Sequence, residues 1–187
     1  MTPILLAGPA LEPLSLEEMR LFLRLETSEE DGLVLSLIKA ARNAVEQGAK
    51  RALIAQKWRI RLSRFPREGR IVLPLSPVLS LDDMRTFDAL GNAVSLDMEL
   101  FDLDGSVVSV RAGSLPADGW AAGVEIDLTA GFGPQAEDVP ESLRQAMRML
   151  VAHYYAHRTD GLHEASVTHF PAAIAALVAP WRRLRLV

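Results

Sequence analysis

The hydrophobic period of the chain changes twice. From Ser15 onward apolar residues recur at helical spacing, and SLEEMRLFLRLE sets Leu16, Met19, Phe22 and Leu23 on one side. Ser15 and Glu18 form an S-x-x-E capping box, in which each side chain can satisfy a backbone amide left free by the first turn. Thr27 and Glu30 repeat the device, and a longer stripe follows through Val34, Leu37, Ile38, Ala41, Val45 and Gly48. Lys39, Arg42, Asn43, Glu46 and Lys50 face the other way. These patterns predict helices over 15–25 and 28–51, the second about 30 Å long from the helical rise per residue. Ala41, Ala44 and Gly48 are small enough for another helix to approach closely.

From Leu53 to Ala130 the period falls to two. KWRIRL sets Trp58, Ile60 and Leu62 against Lys57, Arg59 and Arg61. VSLDMEL sets Val94, Leu96, Met98 and Leu100 against Ser95, Asp97 and Glu99, and GVEIDLTA sets Val124, Ile126 and Leu128 against Glu125, Asp127 and Thr129. Such alternation predicts antiparallel strands with one wet face. Gly91-Asn92 and Asp104-Gly105 supply the positive-φ residues of tight hairpins. A small sheet of about five or six short strands is expected.

Helical spacing then returns. Asp138 and Glu141 form a further cap with Pro140 in the first turn, and Leu143, Met147, Leu150, Val151 and Tyr154 make the stripe of a helix over 139–158. Thr159-Asp160-Gly161 ends it. The polar stretch LHEASVTHF leads to a short helix over 171–178, and APWRRLRLV closes the chain. No internal repeat is evident. The expected fold class is α+β: a single domain over 1–178 whose helices carry a β-rich insert at 53–130, followed by an extended tail at 179–187. Neither helical part can bury its stripe alone, which is why the sheet reads as an insert.

Composition narrows the function. Of 187 residues, 49% are hydrophobic and 24% charged, a globular balance. The net charge is −4, from 20 basic and 24 acidic side chains. Proteins that grip nucleic acid by its phosphates carry a basic excess, so tight DNA binding is not the expected main role. There is no cysteine, which excludes disulfides, thiol nucleophiles and Cys-ligated zinc. The opening MTPILLAGPALEPL lacks the basic start of a secretory signal, and its prolines interrupt any span; no run approaches the ~20 apolar residues a bilayer crossing needs. Synthesis in a reducing cytoplasm is expected, with no membrane partner.

Candidate chemistry is sparse. No phosphate-binding loop or nucleophile elbow is present. Gly131-Phe132-Gly133 follows a strand, but Pro134 and Gln135 break a dinucleotide fingerprint, leaving a strand-to-loop turn. His153 and His157 stand four apart on one helix face, which is metal-ligand spacing. The residues between them lack the glutamate of a zinc hydrolase, and a third ligand would have to come from His163, His169 or Glu164. Hydrogen-bonded structural histidines fit as well, and no metal or other cofactor is expected. Asp82-Asp83 and Glu29-Glu30-Asp31 are adjacent carboxylates, the latter placed where a helix dipole favours anions. No set of groups converges into a catalytic constellation, so the chain does not read as an enzyme.

Basic residues cluster twice. Lys57, Arg59, Arg61, Arg64, Arg67 and Arg70 crowd the first strands, as a solvated sheet face or as a face toward an acidic neighbouring subunit or passing DNA. The tail gathers Trp181, Arg182, Arg183, Leu184, Arg185, Leu186 and Val187. Trp and Arg are enriched at the energetic centres of interfaces, and Trp181, Leu184 and Leu186 exposed together would be a liability.

Taken in order, LFLRLE, TSEEDGLVLSLIKAARNAVEQ, RALIAQKWRIRLSRFP, RIVLPLSPVLSLDDM, VEIDLTAGFG, VPESLRQAMRMLVAHYYAHR and FPAAIAALVAPWRRLRLV resemble the head–tail connector (adaptor) proteins of tailed bacteriophages and of gene transfer agents. The resemblance covers nearly the whole chain and rests on order and spacing. It implies a structural protein of the particle neck that forms a ring, usually of twelve subunits, under the portal. Tail-completion (stopper) proteins attach below, and DNA passes through the lumen without sequence-specific binding. It also implies that the C-terminal segment reaches away to hold the portal, making Trp181, Arg182, Arg183, Leu184, Arg185 and Leu186 a docking peptide. A mildly acidic conduit suits sliding DNA. The strand-rich middle departs from the simplest connectors, which are almost wholly helical. Two other readings fit the sequence: a metal-dependent hydrolase using His153 and His157, and a DNA-packaging accessory that binds DNA directly.

Overall fold

The computed structural model describes residues 1–88, 90–116, 118, 120–157 and 170–182. It is an α+β protein whose chain divides into two compact units: Met1–Ala10 with Ala55–Phe132, and Leu11–Ile54 with Gly133–Val187. The first is β-rich and takes in the N-terminal residues, which the sequence pattern did not assign to it.

The β-rich unit holds two antiparallel sheets. The larger orders its strands β1-β2-β8-β4-β5, with β1 Pro3–Ala7, β2 Gln56–Leu62, β4 Val78–Phe87, β5 Ala93–Ser95 and β8 Val124–Ala130. The smaller orders β3 (Arg70–Val72), β7 (Val107–Val110) and β6 (Phe101–Asp104). Trp58, Leu128 and Leu81 lie in one cross-strand row, and Ile60, Ile126 and Met84 in the next. Ile60, Met84, Val124, Ile126 and Leu128 are buried, as are Phe65, Leu73, Phe101 and Val108. Phe65, Phe101 and Trp120 pack as three rings with centroids 5.8–6.2 Å apart. Aromatic contacts of this kind add about 0.5–1.5 kcal/mol beyond area burial.

Two predicted details change. The alternation over VSLDMEL is not one strand: β5 stops at Ser95 and a 3₁₀ turn occupies Met98–Leu100. The Asp97 carboxylate accepts a hydrogen bond from Glu99 N at 2.9 Å, which starts the turn and defeats the pleat. The strands also number eight among the described residues, because β1 and β3 lack an alternating signal. Gly105, at φ 58°, serves the β6–β7 hairpin, and Gly91, at φ 84°, serves β4–β5.

The helical unit contains α1 (Leu16–Leu23), α2 (Asp31–Ala49), α3 (Glu141–Ala156) and α4 (Ala172–Val178). Ser15 caps α1, accepting from Glu18 N at 3.0 Å, but the expected return bond does not form, because the Glu18 carboxylate pairs with Arg144 and Arg148. The second box does not form. Helix α2 starts at Asp31 with Glu30 as an N-cap that makes no side-chain cap bond, because the Glu30 carboxylate accepts a hydrogen bond from Tyr155 Oη on α3. Likewise Asp138 closes a 3₁₀ turn over Ala136–Asp138 by accepting from Gln135 N at 2.8 Å, and α3 follows Pro140 without a side-chain cap. Helix-helix packing buries Met19, Val34, Ile38, Ala41, Val45, Leu143, Met147, Leu150, Val151, Ile174 and Val178. Each large apolar side chain among them contributes about 1.5–3 kcal/mol. Gly48 does admit a close neighbour, but that neighbour is the Phe170 ring: a Cβ there would lie 2.4 Å from Phe170 Cε2.

Candidate functional site

The C-terminal segment emerges from α4 through a 3₁₀ turn over Ala179–Trp181. Trp181 is half-buried, and Ser142 and Arg51, which bond to it, belong to its own helical unit. Indole Nε1 donates to Ser142 Oγ on the first turn of α3 at 2.8 Å. Arg51, just past the C-terminus of α2, donates from Nε to the Trp181 carbonyl at 2.7 Å. Helices α2, α3 and α4 thus converge on one aromatic residue. The sequence singled out Trp181 as a docking knob, and in the isolated chain it is already engaged at home. Arg182 follows, exposed. Arg183, Leu184, Arg185 and Leu186 lie outside the described residues, as do His163, Glu164 and His169.

The basic strand face has its own counter-ions. Across β2 and β8, Arg59 is in register with Asp127 and Arg61 with Glu125; across β8 and β4, Glu125 is in register with Arg85. Arg59 forms a two-pronged pair with Asp127 at 2.6 and 2.8 Å, and Arg61 Nε donates to Glu125 at 2.6 Å. Arg85 bonds to Asp127 as well and reaches Asp83 at 3.1 Å. Glu125 is only 5% exposed, so three guanidiniums around it compensate a charge that burial alone would penalise. Hydrogen bonding by Arg59 is the chief cause holding the Asp127 carboxyl below its ordinary range, and the same bond raises the Arg59 guanidinium. Three arginines therefore meet three carboxylates, and the positive field read from β2 is largely cancelled in place. Lys57 remains exposed beside this ladder, opposite Thr129. The signal missed in the sequence was complementary: GVEIDLTA carries its acids at the same period as the arginines of KWRIRL.

A second ionic cluster ties α1 to α3. Glu18 accepts from Arg148 Nε at 2.6 Å and pairs with Arg144 at 3.3 Å, while Glu141 accepts from Arg148 at 2.6 Å. Arg148 is chiefly responsible for keeping the Glu141 carboxyl low. His153 and His157 do share a face, with ring centroids 4.4 Å apart, but His157 Nδ1 lies 2.8 Å from the His153 carbonyl, the posture of a helix-end histidine. Among the described residues no three His, Asp or Glu side chains gather as a metal site. Gly131 closes the strand end, its amide bonding to the Pro77 carbonyl at 2.9 Å, and Gly133 leaves room for the Asp138 carboxylate. Both glycines serve turns.

The head completion protein family model matches residues 12–184, and the chain belongs to that family. Solved relatives agree. The chain is 28% identical to a chain from the neck of an empty gene transfer agent particle computed with C6 symmetry, with a TM-score of 0.82. It is 29% identical to a chain of the virion of a native gene transfer agent particle, at a TM-score of 0.81. A third, from the native neck computed with C12 symmetry, is 27% identical at 0.79. Each comparison covers 100% of this chain and 98% of the other. No curated protein is significantly similar. The resemblance to head–tail connectors, gene transfer agents included, therefore holds, and the chain is a structural head–tail neck protein.

Proposed function

We propose that the chain forms a homo-oligomeric ring beneath the portal of a phage or phage-like particle. In this reading it joins the portal to a tail-completion or stopper protein and surrounds the path of the exiting DNA. The observation that carries the reading is the match along 100% of the chain to neck proteins solved with six- and twelvefold symmetry. The cancelled charge on the β2–β8–β4 face supports a wall that DNA passes without being held, since free arginines would bind phosphates.

The tail is the portal-docking element, with its parts doing different jobs. Trp181 is a fixed root, held by Ser142 and Arg51, and the stretch from Arg182 through Leu186 is the peptide that contacts the portal. Burying Leu184 and Leu186 against the portal would contribute about 3–6 kcal/mol per subunit. Arginine pairing and repetition around the ring add to this, the second by raising the effective concentration of every further tail.

Removing residues 183–187, while keeping Trp181 in its socket, tests this. The truncated chain should show an unchanged thermal transition and should fail to co-sediment with portal rings. Normal attachment by the truncated chain refutes the docking role. Cryo-EM of intact particles lacking this chain's density between portal and tail refutes the neck reading as a whole.

A further inference from the structure

The five-stranded sheet is open at both ends, and the two ends differ. At one end lies β1, where Ile4, Leu5 and Leu6 are 40, 48 and 45% exposed. Edge strands are normally blunted by charge or by proline within the strand. This one carries no charge and its proline is its first residue, leaving only a register shift between Leu5 and Ala7 to interrupt it. At the other end β5 covers β4 only from Arg85 to Phe87, with one further bond from Leu96 N to Met84 O. Leu79–Asp83 of β4 therefore has β8 on one side and no strand on the other among the described residues. The open stretch matches β1 in length, at five residues. Leu79 is exposed within it. Its acids are already satisfied: Asp82 accepts from Ser80 and Thr129 hydroxyls, and Asp83 pairs with Arg85. Its register with β8 shifts between Val78 and Ser80 and again between Leu81 and Asp83, so the edge is irregular, but an apolar strand could lie alongside without stranding a charge.

Two unlike edges of one sheet cannot form an isologous pair with each other inside one dimer and then stop. They repeat head to tail, and such contacts close only as rings or run on as filaments. Cyclic symmetry like that of the related necks requires contacts of this heterologous kind. We propose that β1 of one copy pairs with the open Leu79–Asp83 stretch of β4 in the next copy, so that the sheets join around the ring. The proposal rests on the ring reading above and names its subunit contact. It also gives a reason for an apolar N-terminal strand that contributes little to its own unit's core.

The chain contains no cysteine, so pairs can be introduced into a clean background. A Leu5→Cys/Leu79→Cys variant, incorporated into particles and treated with a bis-maleimide spanning about 10 Å, should give a ladder of covalent multimers. That reach tolerates an offset of about two residues, since strands lie ~5 Å apart and rise ~3.3 Å per residue. Each single variant should stay monomeric. Dimers from Leu5→Cys alone would mean β1–β1 pairing, and a cross-link to another particle protein would mean a foreign strand; either overturns the proposal. The unmodified chain supplies the second measurement. Amide exchange in Pro3–Ala7 and Leu79–Asp83 should slow by at least about tenfold between isolated chain and neck. Unchanged exchange in a neck that visibly contains the chain refutes the strand contact and leaves the neck function standing, whereas absence of the chain from necks refutes both.

Discussion

Trp181 offers the sharpest test of how the C-terminus is built. If its indole is part of the helical unit's own structure, Trp181→Phe should destabilise the isolated chain with no partner present. The substitution keeps most of the apolar contact and removes the 2.8 Å bond from Nε1 to Ser142 Oγ. A bond of that kind is worth about 1 kcal/mol net. The Arg51 bond survives, because its acceptor is the backbone carbonyl. For a chain of this size the loss lowers the transition of the helical unit by about 2–4 °C. Trp181→Ala removes the contact area as well. A fully buried aromatic costs about 3–5 kcal/mol on truncation, and half-burial brings this to about 2 kcal/mol. Combining Trp181→Phe with Ser142→Ala should cost little more than either change alone, giving a coupling of about 1 kcal/mol in a double-mutant cycle. Chemical denaturation followed by far-UV circular dichroism reads all four corners. An unaltered midpoint for Trp181→Phe, or strict additivity, would show that the indole is idle in the free chain, and the anchored-root account would be wrong.

Three further outcomes follow from the geometry. Gly48→Ala places a methyl 2.4 Å from the Phe170 ring; overpacking of about 1–3 kcal/mol outweighs the roughly 1 kcal/mol gain in helix propensity, so thermal stability should fall, and Phe170→Leu should restore it. Asp127 has its carboxyl held low by Arg59, so the stability it adds is present above the ordinary aspartate range and lost as pH falls through the lowered value. Asp127→Asn should therefore flatten the acid limb of an unfolding-versus-pH curve, and an identical limb would count against the ladder. Glu18→Gln removes the charge facing Arg144 and Arg148, and should cost about 1–2 kcal/mol in denaturant titration, less at high salt.

Legibility differed by element. Ser15 announced α1 because its cap partners lie three residues away, within the reach of a local pattern. The same pattern at Thr27 and Glu30 was misleading, since a distant group, Tyr155 on α3, took the Glu30 carboxylate. The VSLDMEL alternation failed for a local reason, as the Asp97 carboxylate accepted from the Glu99 amide two residues on and started a turn. Of the candidate site, Trp181 stood out by residue type, but Ser142 and Arg51, which bond to it, lie 39 and 130 positions away and no periodicity could name them.

What the amino-acid order determined by itself is what depends on neighbours a few residues apart, namely the helical stripes, the alternating runs of β2 and β8 and the hairpin glycines, together with the family, which the order of segments along the whole chain carries. Only the tertiary structure decided how the charges were used. The arginines of KWRIRL read as a positive face until strand pairing put Asp127 and Glu125 across from them, about 65 residues away in sequence but one strand spacing apart in space. Electrostatic meaning depends on distance through space, which spacing along the chain records only within a turn or a strand.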